Sequence, residues 1–334
     1  MYTCIYTVII FIFYEKLDLN NYLNFRIIPS LFKSDIMSPL SLKNLDFGKY
    51  HGLGNDYVII NDIQWQIPED KKADLARMLC EFHFSIGADG LIYVCKSDKA
   101  DLKMRIFNDD GSEAEMCGNG IRCFSKYVHE NGLCKKNPLT IESLKGTMIS
   151  KLSIEKDVVK SVEIDMGAPI LECEKIPVLG NSDDMNDDTG ECLDQKIEAI
   201  DKTFTFSAVS MGNPHAVIFV EEPLNNRDLN YYGSAIEQHD KFPKKTNVEF
   251  VKIISNTEAR LRVFERGVGI THSCGTGTCA AVVAGTLLGH FQKYQPIVVH
   301  NDGGDLVITY TGEKVFMKGP VVKSFEGKID SIEI

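Results

Sequence analysis

The 334-residue chain has ten cysteines but no Cys-x-x-Cys pair, and no close pair of residues has metal-ligand spacing. That argues against the common structural metal motifs. No apolar run is long enough to span a bilayer; the longest near the start, Cys4–Tyr14, is too short. It has no basic segment before it and no small-residue cleavage pattern after it, which excludes an ordinary secretion signal. The surplus of positive charge expected of a general nucleic-acid binder is missing, because the net charge is −11. A glycine-rich turn over Lys49–Asp56 is not followed by a helical pattern, so a dinucleotide-binding βαβ unit is excluded. Without a secretion signal, a reducing, cytoplasmic setting with free thiols is expected. Cys80, Cys95, Cys134, Cys173 and Cys192 then read as small buried hydrophobes.

What remains is an ordinary globular composition, 44% hydrophobic and 25% charged, long enough for two domains. Residues 15–44 are mixed, Asn-rich and without clear periodicity, and 1–44 read as a dispensable extension upstream of a working start at Met37. An organellar (plastid) leader is the alternative. The organised part begins near Phe47. Tyr57–Ile60, Leu91–Cys95 and Lys103–Phe107 read as strands. Pro68–Phe82 reads as a helix with Leu75, Met78, Leu79 and Phe82 on one face. Short strands follow over 139–142, 147–153 and 161–166. Residues 180–201, around Asp183, Asp184, Asp187 and Asp188, read as a solvated acidic loop. The second half repeats the plan, with strands over 204–209, 216–220, 248–254 and 260–264 and a helix over 229–239. Strands at 297–300, 305–310 and 314–318 and a last short strand close the chain. The expected class is α+β: two pseudo-symmetric domains, each a mostly antiparallel sheet or barrel wrapped around a central helix. The expected units are 45–167 with 319–334, and 168–318.

Two stretches carry the chemistry. In Cys117-Gly118-Asn119-Gly120 a thiol precedes a helical pattern marked by Ile121, Phe124 and Val128. In Cys274-Gly275-Thr276-Gly277 a second thiol precedes the run 280–288, a helical pattern with apolar residues on every side. The two lie 274 − 117 = 157 residues apart. A helix start offers unpaired N–H groups and a positive end, which bind anions and favour thiolate over thiol. Facing each other, the starts would grip one carboxylate through the N–H groups of Gly118, Asn119, Gly275 and Thr276. The carbon α to that carboxylate would sit between two sulfurs. One could take its proton and the other return one to the opposite face, inverting the centre.

Seven motifs recur in order: His51–Asp56, Phe107–Glu113, Cys117–Gly120, Gly212–His215, Thr246–Val248, Glu265–Gly267 and Cys274–Gly277. With them the chain, over about residues 46–330, strongly resembles diaminopimelate epimerase. The resemblance implies cofactor-independent interconversion of LL- and meso-2,6-diaminoheptanedioate in lysine biosynthesis, with no cofactor and no metal. It implies Cys117 and Cys274 as the acid/base pair. Asn55, Asn108, Asn213, Asn247 and Arg266 are implied as substrate binders, with the backbone of Glu265–Arg266 near the far ammonium. His215 and Glu265 are implied to tune the thiols. It further implies domains that close on substrate and a C-terminal strand that returns to the first domain. The implied partner is the small substrate, with no nucleic acid or membrane and a homodimer left open. Gly90 stands where many members carry a Gln, Ile270 where an acidic residue is common, and Thr276 where Ser is frequent. Taken singly, Asn55 would be a turn residue, His215 structural and Arg266 a surface cation. Cys123 and Cys279 are expected to pack on their helices. The rivals are a racemase of another amino or imino acid such as proline, and a redox switch in which Cys117 and Cys274 join as a disulfide.

Overall fold

The computed structural model describes residues 40–179 and 190–334. The first half contains β1 (Ser41–Gly52), β2 (Asn55–Asn61), α1 (Asp62–Trp65), α2 (Glu69–Cys80), β3 (Gly90–Cys95), β4 (Leu102–Asn108), β5 (Glu113–Ala114), α3 (Gly118–Glu130), β6 (Leu139–Ser143), β7 (Gly146–Glu155) and β8 (Val158–Gly167). The second contains β9 (Gln195–Ala199), β10 (Lys202–Ser210), β11 (Pro214–Phe219), α4 (Asn226–Glu237), β12 (Asn247–Ser255), β13 (Glu258–Glu265), β14 (Gly269–Thr271), α5 (Gly275–Leu287), β15 (Pro296–Asn301), β16 (Gly304–Tyr310) and β17 (Val315–Pro320). A last strand, β18 (Val322–Glu333), follows.

Strand pairing shows the internal repeat. In the first half β1–β2 is antiparallel, β2–β3 parallel, β3–β4 antiparallel, β4–β6 parallel, and β6–β7–β8 antiparallel. The second half follows the same order of hands from β10 to β17. Short β5 and β14 fold back on β4 and β13. One further strand is added at corresponding places, β18 on β1 and β9 on β10. The antiparallel pair β8–β17 joins the halves. This is an α+β fold of two pseudo-symmetric halves, and β18 returns the end of the chain to its first described strand.

Each half surrounds one helix. α3 packs against β1, β2, β3, β4, β7 and β8, and α5 against β10, β11, β12, β16 and β17. The run Ala280–Ala284 is buried throughout, as a helix apolar on every side requires. α3 is also buried on all sides from Gly118 to His129, although its sequence carries Arg122, Ser125 and Lys126. Those polar groups are satisfied internally: Ser125 and Ser150 share a 2.9 Å hydrogen bond, and Lys126 donates to Glu130 (2.7 Å) and to the Val159 carbonyl (2.8 Å). Apolar residues around both helices form one continuous cluster.

Several sequence expectations change. Strand β1 begins at Ser41, so residues 41–44 belong to the fold; residues 1–39 lie outside the described residues. The turn expected over 49–56 is only Leu53–Gly54, both at positive φ, because β1 continues through Gly52. Helix α2 ends at Cys80 and buries Lys72, Leu75, Ala76, Leu79 and Cys80, while Met78 and Phe82 are exposed. The inward face is rotated because Lys72 is drawn in by Asp62 at 3.0 Å and by Glu69. Of the acidic insert, 180–189 lie outside the described residues. Gln195–Ala199 is a strand, not loop, because its alternating Gln195, Ile197 and Ala199 are buried against β10. Cys173 and Cys192 are joined as a disulfide rather than lying as separate free thiols. Cys95 and Cys134 are half-buried, whereas Cys80, Cys123 and Cys279 are buried as expected.

Candidate active site

Cys117 and Cys274 line one cleft of about 980 Å³. Each is the residue just before its helix, in extended backbone, so that its side chain stands at the helix mouth. Both helix starts pack on Met317, which β17 delivers between them. A Cβ on Gly118 would lie 2.6 Å from Met317 Cε, and one on Gly275 would lie 3.1 Å from its sulfur. Glycine at both places therefore sets how closely the two helix starts approach the same residue. Their free N–H groups make the cleft between the thiols a place for an anion.

On the first side, the Tyr57 hydroxyl lies 2.9 Å from Cys117 Sγ and 2.7 Å from Asn55 Oδ1. Asn55 Oδ1 also accepts from Asn119 Nδ2 at 3.2 Å, and Asn55 Nδ2 donates to Asp89 at 2.8 Å. Asn119 is held in turn by Arg122, whose Nη2 donates to Asn119 Oδ1 at 2.7 Å. Arg122 is fully buried, and burial lowers its pKa. Its neutral acceptors, Asn119 Oδ1 and the Pro320 carbonyl, leave its positive charge available to an anion at the helix mouth. Asn108 lines the cleft and is fixed by Ser112 at 2.9 Å. Gly90 cannot carry a longer side chain in place: a Cβ there would lie 2.7 Å from the Phe107 carbonyl oxygen. Asp89, beside it, lines the cleft instead.

On the second side, Cys274 is only 6% exposed. Its sulfur accepts from the Gly277 N–H at 3.4 Å and lies 3.4 Å from Thr276 Oγ1. Burial, followed by the charges of Glu265 and Glu249, pushes its ionisation well above the ordinary thiol range. The expectation that a helix start favours thiolate fails here: two carboxylates and desolvation outweigh the Gly277 N–H and Thr276. Glu265 lines the cleft and accepts from Thr271 Oγ1; burial raises its pKa, with Glu249 adding to the effect. His215 is fully buried, its Nδ1 2.7 Å from Glu249 Oε1 and its Nε2 3.1 Å from Asn213 Oδ1. The ligating atoms of His215, Glu249 and Cys274 lie within 4.8 Å of one another, a set that could hold a metal ion. Residues so far apart in the chain escape any search for ligand spacing. The 2.7 Å His215–Glu249 distance is itself that of a hydrogen bond.

Of the residues singled out from the sequence, Asn55, Asn108, Cys117, Gly118, Asn119, Asn213, Glu265, Cys274, Gly275 and Thr276 line the cleft. His215, Asn247 and Arg266 do not. His215 stands behind Cys274. Asn247 is buried and ties two turns together, donating to the Pro214 carbonyl at 2.8 Å and accepting from the Arg266 N–H at 3.0 Å. The Arg266 guanidinium is exposed and donates to the Lys244 carbonyl at 3.2 Å. Tyr57, Arg122, Glu249 and Met317 escaped the sequence reading. Each looks like a core or strand residue in its own segment and acquires its role only across the fold.

A family model described as diaminopimelate epimerase matches residues 47–172 and 207–324. A diaminopimelate epimerase of Brachyspira hyodysenteriae is 46% identical over 286 residues, 86% of this chain and 99% of that protein. One from Desulfitobacterium hafniense is 46% identical over 287 residues, 85% of this chain and 97% of that protein. Among solved structures, a probable proline racemase from Agrobacterium radiobacter K84 with bound carbonate superposes with a TM-score of 0.61. It is 14% identical and covers 85% of this chain and 92% of that one, so it shows the fold alone. Identity at that level, spread over the strands that carry both cysteine turns, leaves one conclusion: the chain belongs to the diaminopimelate epimerase family.

Proposed function

We propose that this protein interconverts LL- and meso-2,6-diaminoheptanedioate, in lysine biosynthesis, by two-base epimerisation with Cys117 and Cys274. The observation that carries the reading is the placement of both thiols at helix starts on one cleft, packed on the same methionine. The α-carboxylate of the reacting end accepts N–H bonds from Gly118, Asn119, Gly275 and Thr276. Cys117, as thiolate, takes the α-proton: the Cα–H bond breaks and an S–H bond forms. The electron pair moves into the carboxylate, where the N–H donors of both helices meet the added charge. Cys274, held as a thiol by burial, Glu265 and Glu249, protonates the opposite face. In the reverse direction the two sulfurs exchange roles.

Asn55, Asn108, Asn213, Asn247 and Arg266 are the substrate binders: Asn55 stands beside Cys117 at the reacting end, Asn247 holds the Arg266 backbone, and the backbone of Glu265–Arg266 lies near the far ammonium. Arg266 can leave the Lys244 carbonyl and grip the distal carboxylate as a fork. His215 and Glu265, with Glu249, set the charge around Cys274. We take 40–167 with 319–334 as one domain and 168–318 as the other, so that substrate lies where they meet. Among the described residues no helix is long and apolar enough to cross a membrane.

The test is a panel of purified, reduced protein with LL-diaminopimelate and L-proline and no added cofactor. Inversion of diaminopimelate, lost in both Cys117→Ala and Cys274→Ala, upholds the reading. A preference for proline overturns it.

A further inference from the structure

Tyr57 is used by none of the chemistry above, yet its hydroxyl touches the sulfur of Cys117. The side chain is 5% exposed, and its strand is fixed on both sides, opposite Tyr50 of β1 and Gly90 of β3. Two acceptors lie within reach of one phenolic hydrogen: Cys117 Sγ at 2.9 Å and Asn55 Oδ1 at 2.7 Å. The orientation of Asn55 is locked, because its Nδ2 donates to Asp89, leaving Oδ1 toward Tyr57 and Asn119. Cys117 Sγ is 3.7 Å from that same oxygen.

We propose that Tyr57 is a positioning residue for Cys117, its O–H aimed at sulfur when the sulfur is anionic and turned to Asn55 Oδ1 when the sulfur carries the substrate proton. In the second state the S–H donates to the tyrosine oxygen. The phenolic hydrogen stays on oxygen throughout; only the substrate proton is transferred, from Cα to Sγ. The hydroxyl keeps a partner in both states, so a buried donor is never stranded while the reaction turns over. Burial and the neighbouring Cys117 charge drive the phenol's own ionisation well above its usual value, which keeps it a donor at working pH. The other groups that interact with Cys117 are Arg122 and Cys123 from α3, while Asp89 before β3 acts on Tyr57 and Asp56 of β2 on Cys123. Arg122 is the cation among them. It reaches the site through Asn119, which leaves the direct contact with sulfur to Tyr57.

The inference rests on Cys117 as one of the two bases, so its test reads the sulfur separately from turnover. Iodoacetamide labelling of Cys117, followed by peptide mass spectrometry across pH, reports its thiolate form. In Tyr57→Phe the labelling midpoint rises by about one pH unit and labelling at neutral pH slows about tenfold, the loss of one hydrogen bond to an anion. The acid limb of kcat/KM moves with it, and the basic limb does not. Replacing Tyr57 by 3-fluorotyrosine, a stronger donor of nearly the same shape, moves the midpoint down. An unchanged midpoint in both variants overturns the inference, even in an active enzyme. A shifted midpoint in a protein that inverts no diaminopimelate upholds the Tyr57 contact and overturns the epimerase reading instead.

Discussion

Replacing Glu249 by Gln should lower the pH at which Cys274 ionises. Glu249 is fully buried, beneath the first turn of α5, and a carboxylate oxygen lies within 4.8 Å of Cys274 Sγ. It is so close to the helix that a Cβ on Gly277 would lie 2.3 Å from its Oε1. Two unit charges 4.8 Å apart interact by about 3.5 kcal/mol at an effective dielectric of about 20, or about 2.5 pH units. His215 shares the carboxylate's charge through its 2.7 Å contact, which reduces the effect. A fall of about 1–2.5 units is therefore expected. The sign follows from the cause: a negative neighbour holds the proton on sulfur, so removing it lets the proton leave sooner. Cys274 must be a thiol to protonate the carbanion, so the basic limb of the kcat/KM profile should move to lower pH while the acid limb stays. Gln keeps the shape and can still pair with His215, and a thermal melt checks that the fold survives. A basic limb that stays in place, in a folded Glu249→Gln protein, would refute the electrostatic account of Cys274.

Two further outcomes test the site's frame and its substrate grip. Met317→Ala removes a wholly buried side chain on which both helix starts rest, and should cost about 2–5 kcal/mol in thermal or denaturant unfolding. Its kcat should fall more than a distant cavity of equal cost would cause, because the two thiols lose their common spacer. Arg266→Ala alters an exposed side chain, so stability should hold while KM for diaminopimelate rises about ten- to a hundredfold. An unchanged KM would remove Arg266 from the binding set.

The two helix starts were legible in the sequence because a thiol followed by Gly-x-Gly and an apolar run is a local pattern. So was the repeat, since both halves spell strands around one such helix. What could not be read lies between segments. The buried face of α2 depends on where Asp62 draws in Lys72, so Met78 and Phe82, apolar by type, end up outside. Strand β9 hides in an acidic stretch because only the neighbouring β10 gives its alternation a partner. Cys173 and Cys192, 19 residues apart, meet only where Glu172 and Glu191 pair across a single antiparallel bridge. Glu249 looks like an ordinary polar residue of a strand until His215 of β11 and Cys274, just before α5, meet it in the fold. The carboxylate surroundings of Cys274 follow from such contacts: Glu249 of β12 and Glu265 of β13 come to stand beside it only in the fold.

The central claim, that two sulfurs act on opposite faces of one carbon, is tested most directly by following LL-diaminopimelate in heavy water at low conversion. The two-base account predicts that the inverted product carries deuterium from its first appearance while recovered LL substrate remains protiated. One sulfur removes the proton, and the other delivers a solvent-derived deuteron. Deuterium appearing in recovered LL substrate as fast as inversion proceeds would mean that one group both removes and returns the proton, and would contradict the account.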